Sequence, residues 1–246
     1  MSEAPYPREI WTRLAVDPLA DPLSERLSRH PAVTPNRVTA VALLLGVAAA
    51  GCFAVGSLRI GGLLFLLRYF ADCVDGTVAR LQHTTSERGA SFDVGADILG
   101  ITLAFGALSW HLVHVHELPN WCALALLGSV VVYNWALSHR KHLAERADLG
   151  SGGARHEWQP VVWGVRHWVN LCRRLNMCIV PWSVEVEIAA LGLAPLFLST
   201  NLVGWVLVLA FAFYVMADVV NLLRIRRIAG ILDSRRPSIL DSGRSQ

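Results

Sequence analysis

Long apolar runs broken by short polar connections set the plan of this chain. Residues 38–56 contain no charge, and Arg59 marks a tight connection to a second run that starts near Ile60 and passes through Leu67 into an acidic stretch at Asp72. Further apolar runs cover 89–110, 121–137, 185–198 and 202–223. A hydrocarbon core of about 30 Å takes roughly 20 helical residues to cross. The pattern therefore predicts an all-α integral membrane fold with six transmembrane helices in a single domain, 38–228.

The polar remainder frames that domain. Residues 1–37 scatter Arg8, Arg13, Arg26 and Arg29 among Ile10, Trp11, Leu14, Leu19, Leu23 and Leu27, a mixture suited to an N-terminal helix lying in the membrane interface or to a cytosolic tail. Thr34-Pro35-Asn36 reads as a helix start, with Thr34 as cap and Pro35 at the first helical position. The longest connection, 138–184, is broken by Gly150-Ser151-Gly152-Gly153, and its later part, 161–175, mixes tryptophan, valine and arginine as an interfacial helix does. The arginine- and serine-containing end, 229–246, reads as a disordered tail.

Composition agrees with the pattern. With 54% hydrophobic and 17% charged residues among 246, the chain is too apolar for an ordinary soluble domain. The formal charge of +3 is spread over arginine groups at polar connections, which suits anionic lipid better than nucleic acid. Lysine and arginine mark both ends and the connections at 81–88 and 138–184 but are missing from 111–120 and 199–201, with the single charge of Arg59 as the one exception. By the positive-inside rule both termini and the acidic stretch face the cytoplasm, in a multi-pass cell-membrane protein. The five cysteines form no C-x-x-C pair, and no apolar signal-peptide core precedes residue 38.

The candidate chemistry lies in 72–97, DCVDGTVARLQHTTSERGASFDVGAD. Asp72 and Asp75 are spaced to project from one side of a helix, and so are Asp93 and Asp97. Two such helices facing each other gather four carboxylates. Like charges so close, in an otherwise apolar sequence, make sense when divalent cations neutralise them. Charged residues within membrane spans are costly, which argues against idle turn aspartates.

The spacing D-x-x-D-G-x-x-A-R-x8-G-x3-D-x3-D, filled by Asp72, Asp75, Gly76, Ala79, Arg80, Gly89, Asp93 and Asp97, resembles the signature of the CDP-alcohol phosphotransferase family. The resemblance implies an enzyme of phospholipid biosynthesis that moves a phosphatidyl group from CDP-diacylglycerol, or a similar CDP-linked donor, to an acceptor hydroxyl and releases CMP. It implies Mg²⁺ or Mn²⁺, as two ions, on Asp72, Asp75, Asp93 and Asp97, with Asp97 as the catalytic base. CDP is expected at Asp72, Gly76, Ala79, Arg80 and Gly89, and at Asn36 and Thr39, which are similar to the family's P-N-x-x-T start of the first span. A homodimer is a further expectation from the family. Members that use glycerol phosphate or inositol phosphate commonly carry a basic residue where this chain has Ile98, and the glycerol-phosphate group commonly has proline where this chain has Val94.

Other polar groups carry less. Arg140, Lys141, Arg166, Arg173 and Arg174 lie on the expected active-site side, where they suit an acceptor phosphate or anionic lipid equally. Glu185, Glu187 and Asp218 lie at or within apolar runs and offer contacts for a cationic acceptor. His111, His114 and His116 read as an interfacial group, not a metal site, and Trp158, Trp163, Trp168 and Trp182 read as interface anchors before an aromatic cage. The alternatives to a transferase are a divalent-cation transporter that uses the aspartates as its path, and a catalytically idle scaffold.

Overall fold

The computed structural model describes residues 8–30, 32–84, 87–147, 163–175, 177–178 and 183–234. Among them the chain is helical, with no strand beyond an isolated parallel bridge between Arg8 and Met177. A π-helical turn (Thr12–Val16) leads into α1 (Asp17–Ser28), followed by α2 (Pro35–Ala54), α3 (Leu58–Leu81), α4 (Glu87–His114), α5 (Asn120–Arg146) and α6 (Trp163–Leu175). After α7 (Ser183–Glu187) a second π-helical stretch (Ile188–Leu193) joins α8 (Ala194–Phe197), and α9 (Thr200–Ser234) ends the described chain. The chain divides into two compact units, Met1–Leu127 with Gln159–Phe211, and Gly128–Trp158 with Ala212–Gln246.

Among the described residues four helical segments are long and apolar enough to cross a membrane: Pro35–Ala54, Ser91–His114, Asn120–Ala144 and Thr200–Leu232. Two of the six expected spans depart from that standard for physical reasons. α3 is long enough at ~36 Å, but it carries Arg59, Arg68, Asp72, Asp75 and Arg80. The stretch from α7 to α8 gives only roughly 22 Å of helix and is widened ahead of Pro195, whose ring and missing N–H disturb the turn before it. The large side chains on the outer faces are apolar, with Leu44 68%, Leu124 72% and Leu209 69% exposed, as a lipid-facing surface requires.

Local chemistry explains the boundaries near the acidic stretch. Thr34 is the N-cap of α2 and Pro35 occupies its first turn, where the missing N–H costs nothing, as the sequence predicts; the Thr34 side chain itself makes no capping bond. Gly56 turns the chain from α2 to α3 at φ +80°, and a Cβ there would lie 2.6 Å from the His111 ring, so both backbone and space demand glycine. α3 then runs unbroken through the whole D-x-x-D-G-x-x-A-R segment before Gln82 and His83 end it.

α2 packs along α3 and α4, and α1 packs on α3. Val16 and Ala20 of the N-terminal segment enter a buried cluster with Tyr69, Val74, Val78 and Ile188. Leu14, Leu19 and Leu23 remain exposed on the other side of that segment. An apolar residue set on both faces, with arginines between, fits a helix held at a membrane interface. At the other end of the chain α9 continues to Ser234, so 229–234 are helical and not part of a tail, while 235–246 lie outside the described residues.

Candidate active site

Asp72 and Asp75 project from α3, and Asp93 from α4, so that one carboxylate oxygen of each falls within 4.8 Å of the others. The geometry follows from the i, i+3 spacing on α3 and from the packing of α2 against both α3 and α4. Asp75 is 3% exposed and accepts a 2.6 Å hydrogen bond on Oδ2 from the Thr39 hydroxyl of α2. Asp93 Oδ1 is buried and meets no protein donor. An orphaned carboxylate oxygen facing two other carboxylates is a poor arrangement by itself and a good one for a hard divalent cation. The donor set is all oxygen, which fits Mg²⁺ or Mn²⁺ and not a softer metal.

Asp97 stands apart from these three. Arg68, one helical turn before Asp72 on α3, forms an ion pair with Asp97 Oδ1, and its Nη2 also donates to the Asp97 carbonyl at 3.3 Å. Both Asp97 and Asp72 line a cavity of about 320 Å³ shared with Arg68, Tyr69, Cys73, Gly76 and Arg80 of α3. Gly76 lines this cavity with nothing nearer to its would-be Cβ than Arg80 Nη1 at 3.5 Å, so its position is open to an approaching ligand. Arg80 turns back to donate to Thr77 Oγ1 at 2.9 Å and, among the described residues, forms no ion pair with Asp72, Asp75, Asp93 or Asp97.

The remaining cavity wall comes from far along the chain. Arg8, Glu9 and Thr12 line it from the N-terminal side, and Val184 and Glu187 from α7. The two segments are bound to each other. Cys178 N donates to Arg8 O at 2.8 Å, Ile10 N to Glu185 Oε1 at 2.7 Å, and Arg13 Nε to Leu175 O at 3.1 Å. Asp17, 3% exposed, anchors the N-terminal side through ion pairs with Arg8 and Arg13. Gln82, just after α3, donates to Ser28 O and Val33 O, so the connection between α1 and α2 is tied to the end of the motif helix.

Of the sequence-predicted nucleotide residues, Asn36 is exposed in the first turn of α2, Ala79 is half-buried on α3, and Gly89 lies in the first turns of α4. Thr39 is 5% exposed, and its hydroxyl donates to Asp75 Oδ2 and lies 3.1 Å from the Pro35 carbonyl. Among the weaker candidates, Arg140 donates to Asn221 Oδ1 at 3.0 Å within the second unit, where Lys141 also lies, whereas Arg174 belongs to the first. The side chains of Arg166 and Arg173 lie outside the described residues, as do Trp158 and Trp182 and the side chain of Trp163. The His114 ring lies against Trp110, centroids 4.1 Å apart and tilted by 46°, with its Nδ1 2.9 Å from the Trp110 carbonyl.

Arg68 is the residue that sequence reasoning missed. A charge inside the apolar run 60–71, one turn from Asp72, was the available signal, because an ionisable residue in a membrane span is functional by default.

Fold and site together define an all-helical membrane protein built around a carboxylate cluster at the meeting of its second, third and fourth helices. A family model described as CDP-alcohol phosphatidyltransferase matches residues 32–223. The chain belongs to that family, as the aspartate signature implied. It is 36% identical over 101 residues to the phosphatidylinositol phosphate synthase of Corynebacterium glutamicum, covering 40% of this chain and 46% of that one. With the corresponding synthase of Mycolicibacterium smegmatis it is 31% identical over 150 residues, 58% of this chain and 64% of the relative. A bifunctional IPC transferase and DIPP synthase of Aquifex aeolicus is 36% identical over 99 residues, which cover 40% of this chain but 23% of that protein. The matched stretch thus spans less than half the length of the first two of these relatives in order of similarity, the Aquifex and Corynebacterium proteins. The fold is similar to the crystal structure of Mycobacterium tuberculosis phosphatidylinositol phosphate synthase with CDP-DAG bound, at TM-score 0.54 and 18% identity over 85% of this chain and 94% of that one. A second structure of that enzyme, in complex with manganese and citrate, aligns at TM-score 0.54 and 17% identity over 84% and 88% of the two chains.

Proposed function

We propose that this protein is an integral-membrane transferase that moves a phosphatidyl group from CDP-diacylglycerol, or a similar CDP-linked lipid, to an acceptor hydroxyl with release of CMP. The observation that carries the reading is the Asp72–Asp75–Asp93 cluster with its orphaned Asp93 oxygen, next to a cavity lined by Asp97. Family membership supports transferase chemistry over cation transport or an idle scaffold.

Asp72, Asp75 and Asp93 are the residues that would hold the divalent metal, and the family pattern calls for two ions. When bound, Mg²⁺ or Mn²⁺ neutralises the pyrophosphate and the departing CMP. Thr39 holds Asp75 in its ligating orientation, as outer-shell donors do. Gly76 leaves room for the nucleotide to approach α3, and Ala79, Gly89, Arg80 and Asn36 complete its surroundings. Arg80, exposed and bonded to the Thr77 hydroxyl of its own helix, is able to swing to a phosphate. Asp97 takes the proton from the acceptor hydroxyl, the oxygen forms its bond to the lipid-bearing phosphorus, and the bond from that phosphorus to CMP breaks.

The reading places six spans in the cell membrane with both termini and the aspartates on the cytoplasmic side, where CDP-linked donors are made, and it carries the family's homodimer with it. Arg140, Lys141, Arg173 and Arg174 are the candidates for an acceptor phosphate. Inositol phosphate belongs among the acceptors to test because relatives are named for it, while Ile98 departs from the pattern of members that use glycerol phosphate or inositol phosphate and Val94 from that of the glycerol-phosphate group. The test is purified protein with CDP-diacylglycerol, Mg²⁺ and separate acceptors: glycerol phosphate, inositol phosphate, serine and choline. CMP release with a new phospholipid seen by mass spectrometry is expected. Divalent-ion flux into proteoliposomes with no CDP-lipid turnover would replace this reading with transport.

A further inference from the structure

Arg68 carries a charge that the proposed chemistry does not use, yet three helices are shaped to receive it. Its side chain is among the largest that are fully buried, at 2% exposure. It passes between Gly46 of α2 and Gly100 of α4: a Cβ at Gly46 would lie 3.1 Å from its Cδ, and one at Gly100 only 2.8 Å from its Nε. Its guanidinium carbon lies 5.4 Å from the centre of the Phe65 ring. A guanidinium so confined keeps one direction, and its Nη2 reaches both the Asp97 carbonyl and Asp97 Oδ1. Asp97 meanwhile falls outside the set of carboxylates whose oxygens lie within 4.8 Å of one another.

We infer that Arg68 is a positioning residue: it grips the Asp97 carboxylate by one oxygen and holds it beside the Asp72–Asp75–Asp93 cluster, leaving the second oxygen for the acceptor hydroxyl. The inference rests on the reading of Asp97 as the base. A carboxylate drawn into the metal cluster has its lone pairs engaged there, and a fixed guanidinium prevents that by offering a competing, directional partner. Lysine would not substitute well, because the slot between Gly46 and Gly100 is fitted to the arginine Cδ, Nε and guanidinium, and an ammonium on a flexible stem has no rigid plane for those walls to aim. The two glycines serve the same end, since any side chain at either position intrudes on the arginine slot.

The test uses the full chain in nanodiscs, with steady-state CMP release on the best acceptor and Mn²⁺ binding followed by electron paramagnetic resonance without donor. Arg68→Gln is expected to lower kcat on the order of 100-fold, the loss typical of a catalytic group misplaced by about 1 Å, with the KM for CDP-diacylglycerol and the Mn²⁺ affinity undiminished. Arg68→Lys should recover only part of kcat. Gly100→Ala keeps the arginine but displaces it, and should lower kcat in the same direction, which serves if Arg68→Gln does not fold. Loss of Mn²⁺ binding alongside activity in Arg68→Gln would mark a merely structural role and overturn the inference. So would wild-type kcat in Arg68→Gln or Gly100→Ala while Asp97→Asn is inactive. Wild-type turnover in Asp97→Asn would instead remove the base reading on which the inference stands.

Discussion

The Thr39 hydroxyl of α2 donates to Asp75 Oδ2 of α3 at 2.6 Å, with both residues at least 95% buried. This bond joins the first apolar helix to the carboxylate cluster. Thr39→Val keeps the shape and removes the donor. It is expected to weaken Mn²⁺ binding about 10-fold or more, the usual effect of losing an outer-shell partner, while Thr39→Ser stays near wild type. A Mn²⁺ titration of the three proteins measures this, and equal affinities would mean that Asp75 needs no support from α2.

Chelation of divalent ions should stop CMP release, and added Mg²⁺ or Mn²⁺ should restore it. Asp93→Asn is expected to need more metal for half-maximal activity, because it removes charge at the orphaned oxygen. Metal-independent turnover by the chelated wild type would break the link between the three aspartates and an ion.

The backbone of α3 meets that of the Ile188–Leu193 stretch where Gly62 faces Gly192. A Cβ at Gly62 would lie 2.7 Å from the Gly192 carbonyl oxygen, a contact that no side-chain rotation relieves. Gly62→Ala should therefore destabilise the protein by about 1–3 kcal/mol, as overpacking does. A lowered melting temperature in detergent checks this. Gly128→Ala, inside α5 with nothing within 4 Å of the added atom, is the control and should melt no lower than wild type.

Asp17 is buried under two arginines that are themselves partly exposed, Arg8 at 35% and Arg13 at 44% of side-chain area. Asp17→Ala removes the anchor of the segment that forms one cavity wall. The loss is about 1–2 kcal/mol after allowing for solvent screening of the arginines. Hydrogen exchange should show faster exchange in the N-terminal segment, with the amides of α3 unchanged. Uniform loss of protection throughout the chain would contradict a local clasp.

Much of this was legible in the sequence for identifiable reasons. Asp72, Asp75, Asp93 and Asp97 stand out because charge inside apolar helix is rare, and their spacing alone puts the first pair on one side of α3. Membrane-spanning helices are legible where apolar runs are long and uninterrupted, as in α2, α4, α5 and α9. The run at 185–198 was less so, because Pro195 and Gly192 split one apolar stretch into short and widened turns that periodicity does not foretell. The pairing of Arg68 with Asp97 depends on how α3 and α4 are rotated about their axes, which no local pattern records. The clasp of the N-terminal segment on the chain around Cys178 and Glu185 is made largely of backbone donors and acceptors, which every sequence offers equally.

The central claim is that Asp97 takes the acceptor's proton while its three neighbours hold metal. Its most direct test is single-turnover CMP release from CDP-diacylglycerol by Asp97→Asn, at matched folding and saturating Mg²⁺, with Mn²⁺ affinity measured on the same sample. A chemical step slowed by roughly 100-fold or more, within the usual contribution of a general base, is expected, with metal affinity close to wild type. A chemical step at the wild-type rate, or inactivity explained by lost metal binding, would contradict the claim.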